Sequence, residues 1–153
     1  MNKYKYIVLY IYMDINKLLK ALDDDSNENL LNFTSKKMTE MNLKIINELQ
    51  LERKEGLELM RKLKGYRYID ELNDLKYGTY IRWIPLQNPN NIHITKGALF
   101  CEYKIKDDGV YVICKNFGYS SKHFQIKLDE NLVFQKLTDQ ELVLLSALDH
   151  LSK

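Results

Sequence analysis

Apolar residues change their spacing near the middle of this chain, from every third or fourth position to every second. Met38, Met41, Ile45, Leu49, Met60 and Leu63 recur at helical spacing, which predicts a helix from about Ser35 to Lys64. Glu40–Lys44 and Glu58–Lys62 are i,i+4 pairs in the favourable order. Gly56 weakens a helix by about 1 kcal/mol relative to Ala and marks a candidate break, while Gly65 is a natural stop. A short helical stretch from Ile69 to Leu75 is expected to follow.

From Gly78 the period is two. Thr79–Ile84 reads as a strand ended by Pro85, and Gln87-Asn88-Pro89-Asn90-Asn91 is dense in turn-forming residues. Ala98–Lys106 and Val110–Lys115 form a hairpin about Asp108-Gly109. Setting Asp107 opposite Val110 puts Ile105 opposite Val112, Tyr103 opposite Cys114 and Glu102 opposite Lys115. One face is then Leu99, Cys101, Tyr103, Ile105, Val110, Val112 and Cys114, and the other is Glu102, Lys104, Lys106, Tyr111, Ile113 and Lys115. A slip of one residue would mix the two faces. Of the large aromatics on the first strand, Trp83 is expected in the core with Ile81, and Tyr80 points the other way.

Ser121–Leu128 and Leu132–Leu137 supply a fourth and a fifth strand. Thr138-Asp139-Gln140-Glu141 is a capping box, and the helix it opens should run to about Leu151 with Leu142, Leu145, Leu148 and Leu151 on its apolar stripe.

Residues 3–22 allow two readings. Alternation of Tyr4, Tyr6, Val8, Tyr10 and Tyr12 favours a strand, with Asp14 then capping a short helix from Ile15 to Leu22; a single helix through the segment is the alternative. Asp23-Asp24-Asp25-Ser26-Asn27-Glu28-Asn29 is a polar joint.

The elements together predict an α+β chain in two regions. Residues 1–76 form a mainly helical arm with the N-terminal strand as an option, and residues 77–153 form a small five-stranded antiparallel barrel with a C-terminal helix. SH3-like, Sm-like and OB barrels all fit the strand count, and a long first loop followed by a meander favours the SH3-like one.

Composition narrows the function without naming it. The 153 residues carry 23 basic and 21 acidic side chains, net +2, too balanced to imply nucleic acid, a membrane or acidic substrates by itself. The apolar run Ile7–Tyr12 is about half a membrane span and lacks a signal-peptide cleavage pattern, so a cytoplasmic protein with reduced thiols is expected. Cys101 and Cys114 read as small core hydrophobes, diagonal neighbours roughly 7–8 Å apart and too distant for an easy disulfide.

Chemistry is sparse. Asp23, Asp25 and Asn27 match the first ligands of a calcium loop, but Glu28 stands where Gly is needed and Thr34 where a bidentate Glu is needed. His93, His123 and His150 are far apart in sequence, no Cys or His pair has zinc spacing, and the six glycines form no phosphate-cradling loop. No catalytic residue, cofactor, metal or small-molecule substrate is therefore assigned. Two surfaces stand out. Lys104, Lys106, Tyr111 and Lys115, with Tyr119 and Lys122 close along the chain, set aromatics among basic side chains. Arg53, Lys54, Arg61, Lys62, Lys64 and Arg67 form a basic stretch that suits phosphate contacts or simply a solvated helix end.

Leu75-Lys76-Tyr77-Gly78-Thr79-Tyr80-Ile81-Arg82-Trp83-Ile84, Thr95-Lys96-Gly97, Cys114-Lys115-Asn116 and Phe134-Gln135-Lys136-Leu137-Thr138 resemble uncharacterised small-barrel proteins of large cytoplasmic DNA viruses. The resemblance covers roughly the second half of the chain. It implies a barrel entered through a Gly-x-Tyr-Ile/Val-Arg-Trp/Tyr strand and a setting in host cytoplasm or virion, and it carries no functional residue across. The expected function is a non-catalytic binding or structural protein, an assembly or virion component acting through contacts with a protein partner or a second copy. Nucleic-acid binding by the barrel is the second reading, and an enzyme of unknown type the third.

Overall fold

The computed structural model describes residues 19–20, 34–116 and 122–151; the readings of 3–18 and of the polar joint lie outside them, and Leu19 and Lys20 are helical. The chain divides into two compact units, Met1–Met38 with Leu137–Lys153, and Thr39–Lys136.

Helix α1 (Ser35–Asn47) starts in the first unit and continues into the second; it begins where Thr34 Oγ1 accepts the amide hydrogen of Lys37 at 3.2 Å. The amide of Ser35 donates to Asp149 Oδ1 at 2.9 Å, and Met38, Leu137 and Leu145 form a buried cluster. The capping box is made as the sequence predicts: Glu141 N–H donates to Thr138 Oγ1 at 3.2 Å, and Thr138 N–H donates to Glu141 Oε1 at 3.0 Å. It opens a helix over Asp139–Leu151.

The second unit corrects the barrel. Its strands form one open six-stranded antiparallel sheet, not a closed five-stranded barrel. The strands are β1 (Tyr66–Tyr68), β2 (Tyr80–Pro85), β3 (Ala98–Lys106), β4 (Gly109–Lys115), β5 (His123–Lys127) and β6 (Asn131–Lys136), in the order β1-β6-β2-β3-β4-β5. The terminal helix is α3, because the long predicted helix is two: α1 and α2 (Arg53–Lys62). The break falls at residues 48–52, where Gln50 takes φ +52, and Gly56 lies inside α2. A Cβ at Gly56 would stand 3.9 Å from Ile46 Cγ2, an ordinary van der Waals contact, so the approach of the two helices does not require a glycine there. The predicted helix over Ile69–Leu75 is a single 3₁₀ turn, Leu72–Asp74, after the short strand β1.

The sheet curls without closing. The rings of Trp83 and Phe124 lie 5.9 Å apart although β2 and β5 are separated by β3 and β4. Strands in a flat sheet stand about 4.8 Å apart, so these two rings would be roughly 14 Å apart without the curl. Closure fails at β1, which extends the sheet beyond β6 and whose outer edge is occupied by a side chain from α1. Asn42 Nδ2 donates to Tyr66 O at 2.9 Å, and its Oδ1 accepts from Tyr68 N–H at 3.0 Å.

Each face has its own core. On the concave face Ile81, Trp83, Val133, Phe100, Val112 and Cys114 pack with Ile69 and Leu75, as expected for Trp83 and Ile81. On the convex face α1 and α2 lay Ile46, Leu59 and Leu63 on Ile84, Leu132 and Phe134. The helices therefore cover the β1, β6 and β2 half of the convex face.

Candidate binding face

The other half of the convex face, on β3, β4 and β5, carries a polar and basic row. Its register differs from the predicted one by two residues: Lys106 lies opposite Gly109, Ile105 opposite Val110, Lys104 opposite Tyr111 and Tyr103 opposite Val112. The turn is Asp107-Asp108, not Asp108-Gly109. A two-residue shift preserves which side each residue faces, so Lys104, Lys106, Tyr111, Ile113 and Lys115 remain together as predicted. A bulge between Phe100 and Glu102 then exchanges the near half of β3. Ala98 and Phe100 are buried where Leu99 and Cys101 were expected, and Phe100 lies opposite Cys114. The tip runs past the core, leaving Ile105 74% and Tyr103 39% exposed.

β5 completes the row. Lys127 pairs with Tyr111, Gln125 with Ile113 and His123 with Lys115. Lys104, Lys106, Lys115 and Lys127 thus share a sheet face with one carboxylate, Glu102, which pairs with Lys104 at 3.7 Å. Carboxylates gather instead at the turn end: Asp108 and Asp129 lie beside Lys127 and Gly109. Lys122 is exposed just before β5, and Tyr119 lies outside the described residues.

Tyr111 is already engaged on two sides. Its hydroxyl donates to Asp108 Oδ2 at 2.6 Å, and Lys106 Nζ sits 4.5 Å from the ring centroid. That hydrogen bond holds the Asp108 carboxyl below its ordinary range and raises the Tyr111 phenol. Lys106 also donates to Gln125 Oε1 at 3.1 Å, which fixes its ammonium above β5.

The basic stretch predicted for phosphate is not one surface. Arg67 is buried, its guanidinium 3.6 Å from the Asp74 carboxylate, and it is a core residue rather than a phosphate contact. Arg61 pairs with Glu58, whose carboxyl that contact holds below its usual range, and Lys62 stands 3.9 Å from the same carboxylate. Arg53 and Lys54 begin α2, whereas Arg61 and Lys62 end it, and Lys64 follows, exposed. Arg82, which the sequence reading did not single out as a contact, donates to the carbonyls of Lys62 and Thr95 at 2.9 Å each and lies over Tyr66. It ties the end of α2 to the sheet.

A groove of about 510 Å³ runs between α2 and residues 92–94, lined by Glu52, Glu55, Glu58, Lys54, Lys62 and His93. Its charges are mixed, and Glu58 is taken by Arg61. Among the described residues no three His, Cys, Asp or Glu side chains converge on a metal-sized site, and no helix is long and apolar enough to cross a membrane. No protein-family model, curated protein or solved structure matches the chain.

Proposed function

We propose that this chain is a non-catalytic binding protein that presents the β3–β4–β5 half of its convex face to an acidic protein partner. The observation that carries this reading is the shared orientation of Lys104, Lys106, Lys115 and Lys127 on strands outside the patch where, among the described residues, α1 and α2 pack on the sheet. The strand pairing sets the backbone positions of these lysines in one row, which favours recognition of a complementary charged surface. Single-stranded nucleic acid is the less favoured ligand, because the Lys106 ammonium already occupies one face of the Tyr111 ring and competes with a base for stacking there. The sequence resemblance to viral proteins, whose implied barrel this chain does not form, extends the proposal to an assembly or virion component and adds no residue to the face.

The test compares two probes by fluorescence anisotropy at physiological salt: a labelled polyglutamate chain and a labelled oligothymidine. Polyglutamate should bind more tightly and lose at least tenfold in affinity when Lys104, Lys106, Lys115 and Lys127 are all changed to Glu. Sub-micromolar oligothymidine binding that depends on Tyr111 would overturn the reading in favour of nucleic acid.

A further inference from the structure

The two edges of the sheet are treated differently. At β1 the outer carbonyl and amide are taken by Asn42, as described above. At β5, among the described residues, the only hydrogen bond to the backbone of His123–Lys127 besides the β4 ladder is Asn131 Nδ2 to Lys127 O, at 2.7 Å. An open strand edge is a template for another strand, and proteins usually cover it or guard it with charge.

The chemistry along β5 specifies what fits. On the convex side the edge presents Lys127, then Gln125 carrying the Lys106 ammonium, then His123 beside Lys115. On the concave side it presents Phe124 and Ile126, both half-buried. A strand laid along this edge would place alternate side chains beside the lysines and the intervening ones beside Phe124 and Ile126. A second copy of β5 is a poor occupant: antiparallel pairing about Gln125 would set Lys127 of one copy against His123 of the other and bring two lysine rows side by side.

We infer that the β5 edge takes an extended acidic peptide from a partner protein as a seventh strand, with Asp or Glu alternating with apolar residues. This inference rests on the acidic-partner reading above and adds the mode of contact. The carboxylates face Lys106, Lys115 and Lys127, and the apolar residues extend the row of Phe124 and Ile126. Main-chain hydrogen bonds to β5 supply affinity, and the alternation supplies specificity. Asp108 and Asp129 at the turn end bound the acidic run, because a carboxylate placed beyond Lys127 would meet them.

The experiment uses the full chain and a capped eight-residue peptide alternating Glu and Val. Controls are a block peptide of the same composition and versions N-methylated at every Val or at every Glu. The alternating peptide should bind at least tenfold more tightly than the block peptide, and at least one methylated version should lose binding tenfold. Amide exchange within His123–Lys127 should slow at least tenfold on binding. Equal binding of alternating, block and both methylated peptides would overturn the added strand while leaving the basic face as the contact. Binding of polyglutamate but not of the alternating peptide would do the same. Failure of both probes would overturn this inference and the acidic-partner reading together. A concentration-dependent dimer that protects the same amides would assign the edge to a second copy and overturn the proposal.

Discussion

Asn42 imitates a strand for Tyr68. Its side-chain oxygen accepts the Tyr68 amide hydrogen at 3.0 Å, while its nitrogen donates to the carbonyl two residues earlier, at Tyr66. One amide side chain on α1 thereby satisfies both outward groups of a short edge strand and ends the sheet at β1. Changing Asn42 to Ala strands a donor and an acceptor at a site only 3% exposed. Each unsatisfied buried group costs ~1–3 kcal/mol, so the loss should total about 2–6 kcal/mol, read from urea midpoints at an unchanged slope. A cost below about 1 kcal/mol would mean water replaces the side chain.

Gly97 is fixed by its neighbours as well as by its backbone. It takes φ +93, and a Cβ there would stand 2.3 Å from the Ile81 carbonyl oxygen and 2.8 Å from the Tyr80 ring. Gly78 takes φ +79 with nothing within 4 Å. Gly78→Ala should therefore cost only the left-handed backbone term, about 1–2 kcal/mol. Gly97→Ala should cost clearly more, about 3 kcal/mol or above, because backbone must shift as well. Thermal midpoints of the two variants measured side by side decide it, and equal costs would show that the β2–β3 approach relaxes freely.

The thiols separate by burial. Both were expected to face the core in the predicted register, but only Cys114 does; Cys101 sits at the bulge, half-buried. Burial pushes the Cys114 thiol up to about 12, so at pH 8 the reactive thiolate is about one part in ten thousand. Cys101 should label first with an aqueous thiol reagent, and Cys114 only on unfolding. The same shift makes stability depend on pH. A folded value raised above an unfolded one near 9 leaves stability intact below pH 9 and removes it as pH rises toward 12. Between pH 8.5 and 10.5, Cys114→Ala should lose less stability with pH than the parent protein. Parallel curves would refute the role given to Cys114.

Elements with a local signal were legible in the sequence. The Thr138–Glu141 box, the hairpin strands and the placement of Trp83 and Ile81 all follow from neighbours a few residues apart. Closure does not, because alternation marks which side of a strand is apolar and is the same in a barrel and in a curled open sheet. β1 is three residues long, Tyr66–Tyr68, too short to show a period, and the Asn42 contact that ends the sheet spans 26 residues to Tyr68. The bulge at Cys101 is likewise silent, although Phe100 as the bulkier apolar side chain is the one the core takes. The lysine row survived the register error because a shift of two keeps each side chain on its side. The basic stretch did not survive as a surface, since charge counted along the sequence cannot show that Arg67 turns inward to Asp74.

The engagement of Tyr111 separates the two ligand classes. A base stacking on the ring face that Lys106 occupies would have to displace its ammonium, which lies 4.5 Å from the centroid. If nucleic acid still bound there, Tyr111→Ala would cost ~1–3 kcal/mol of affinity for oligothymidine. The acidic-partner reading expects weak oligothymidine binding that changes less than twofold in Tyr111→Ala. Replacing Lys104, Lys106 and Lys115 by Gln should weaken binding of the acidic probe and reduce its salt dependence, since removed ammonium groups no longer contribute to screened attraction. Tyr111→Phe provides a structural control. It removes the hydrogen bond to Asp108 and should let that carboxyl return upward toward its ordinary range, read by carbon-13 NMR titration, while changing stability by less than about 1 kcal/mol at this surface site. Retained polyglutamate affinity in Tyr111→Phe together with loss in the lysine variant would show that the ammonium array, not the aromatic ring, carries recognition.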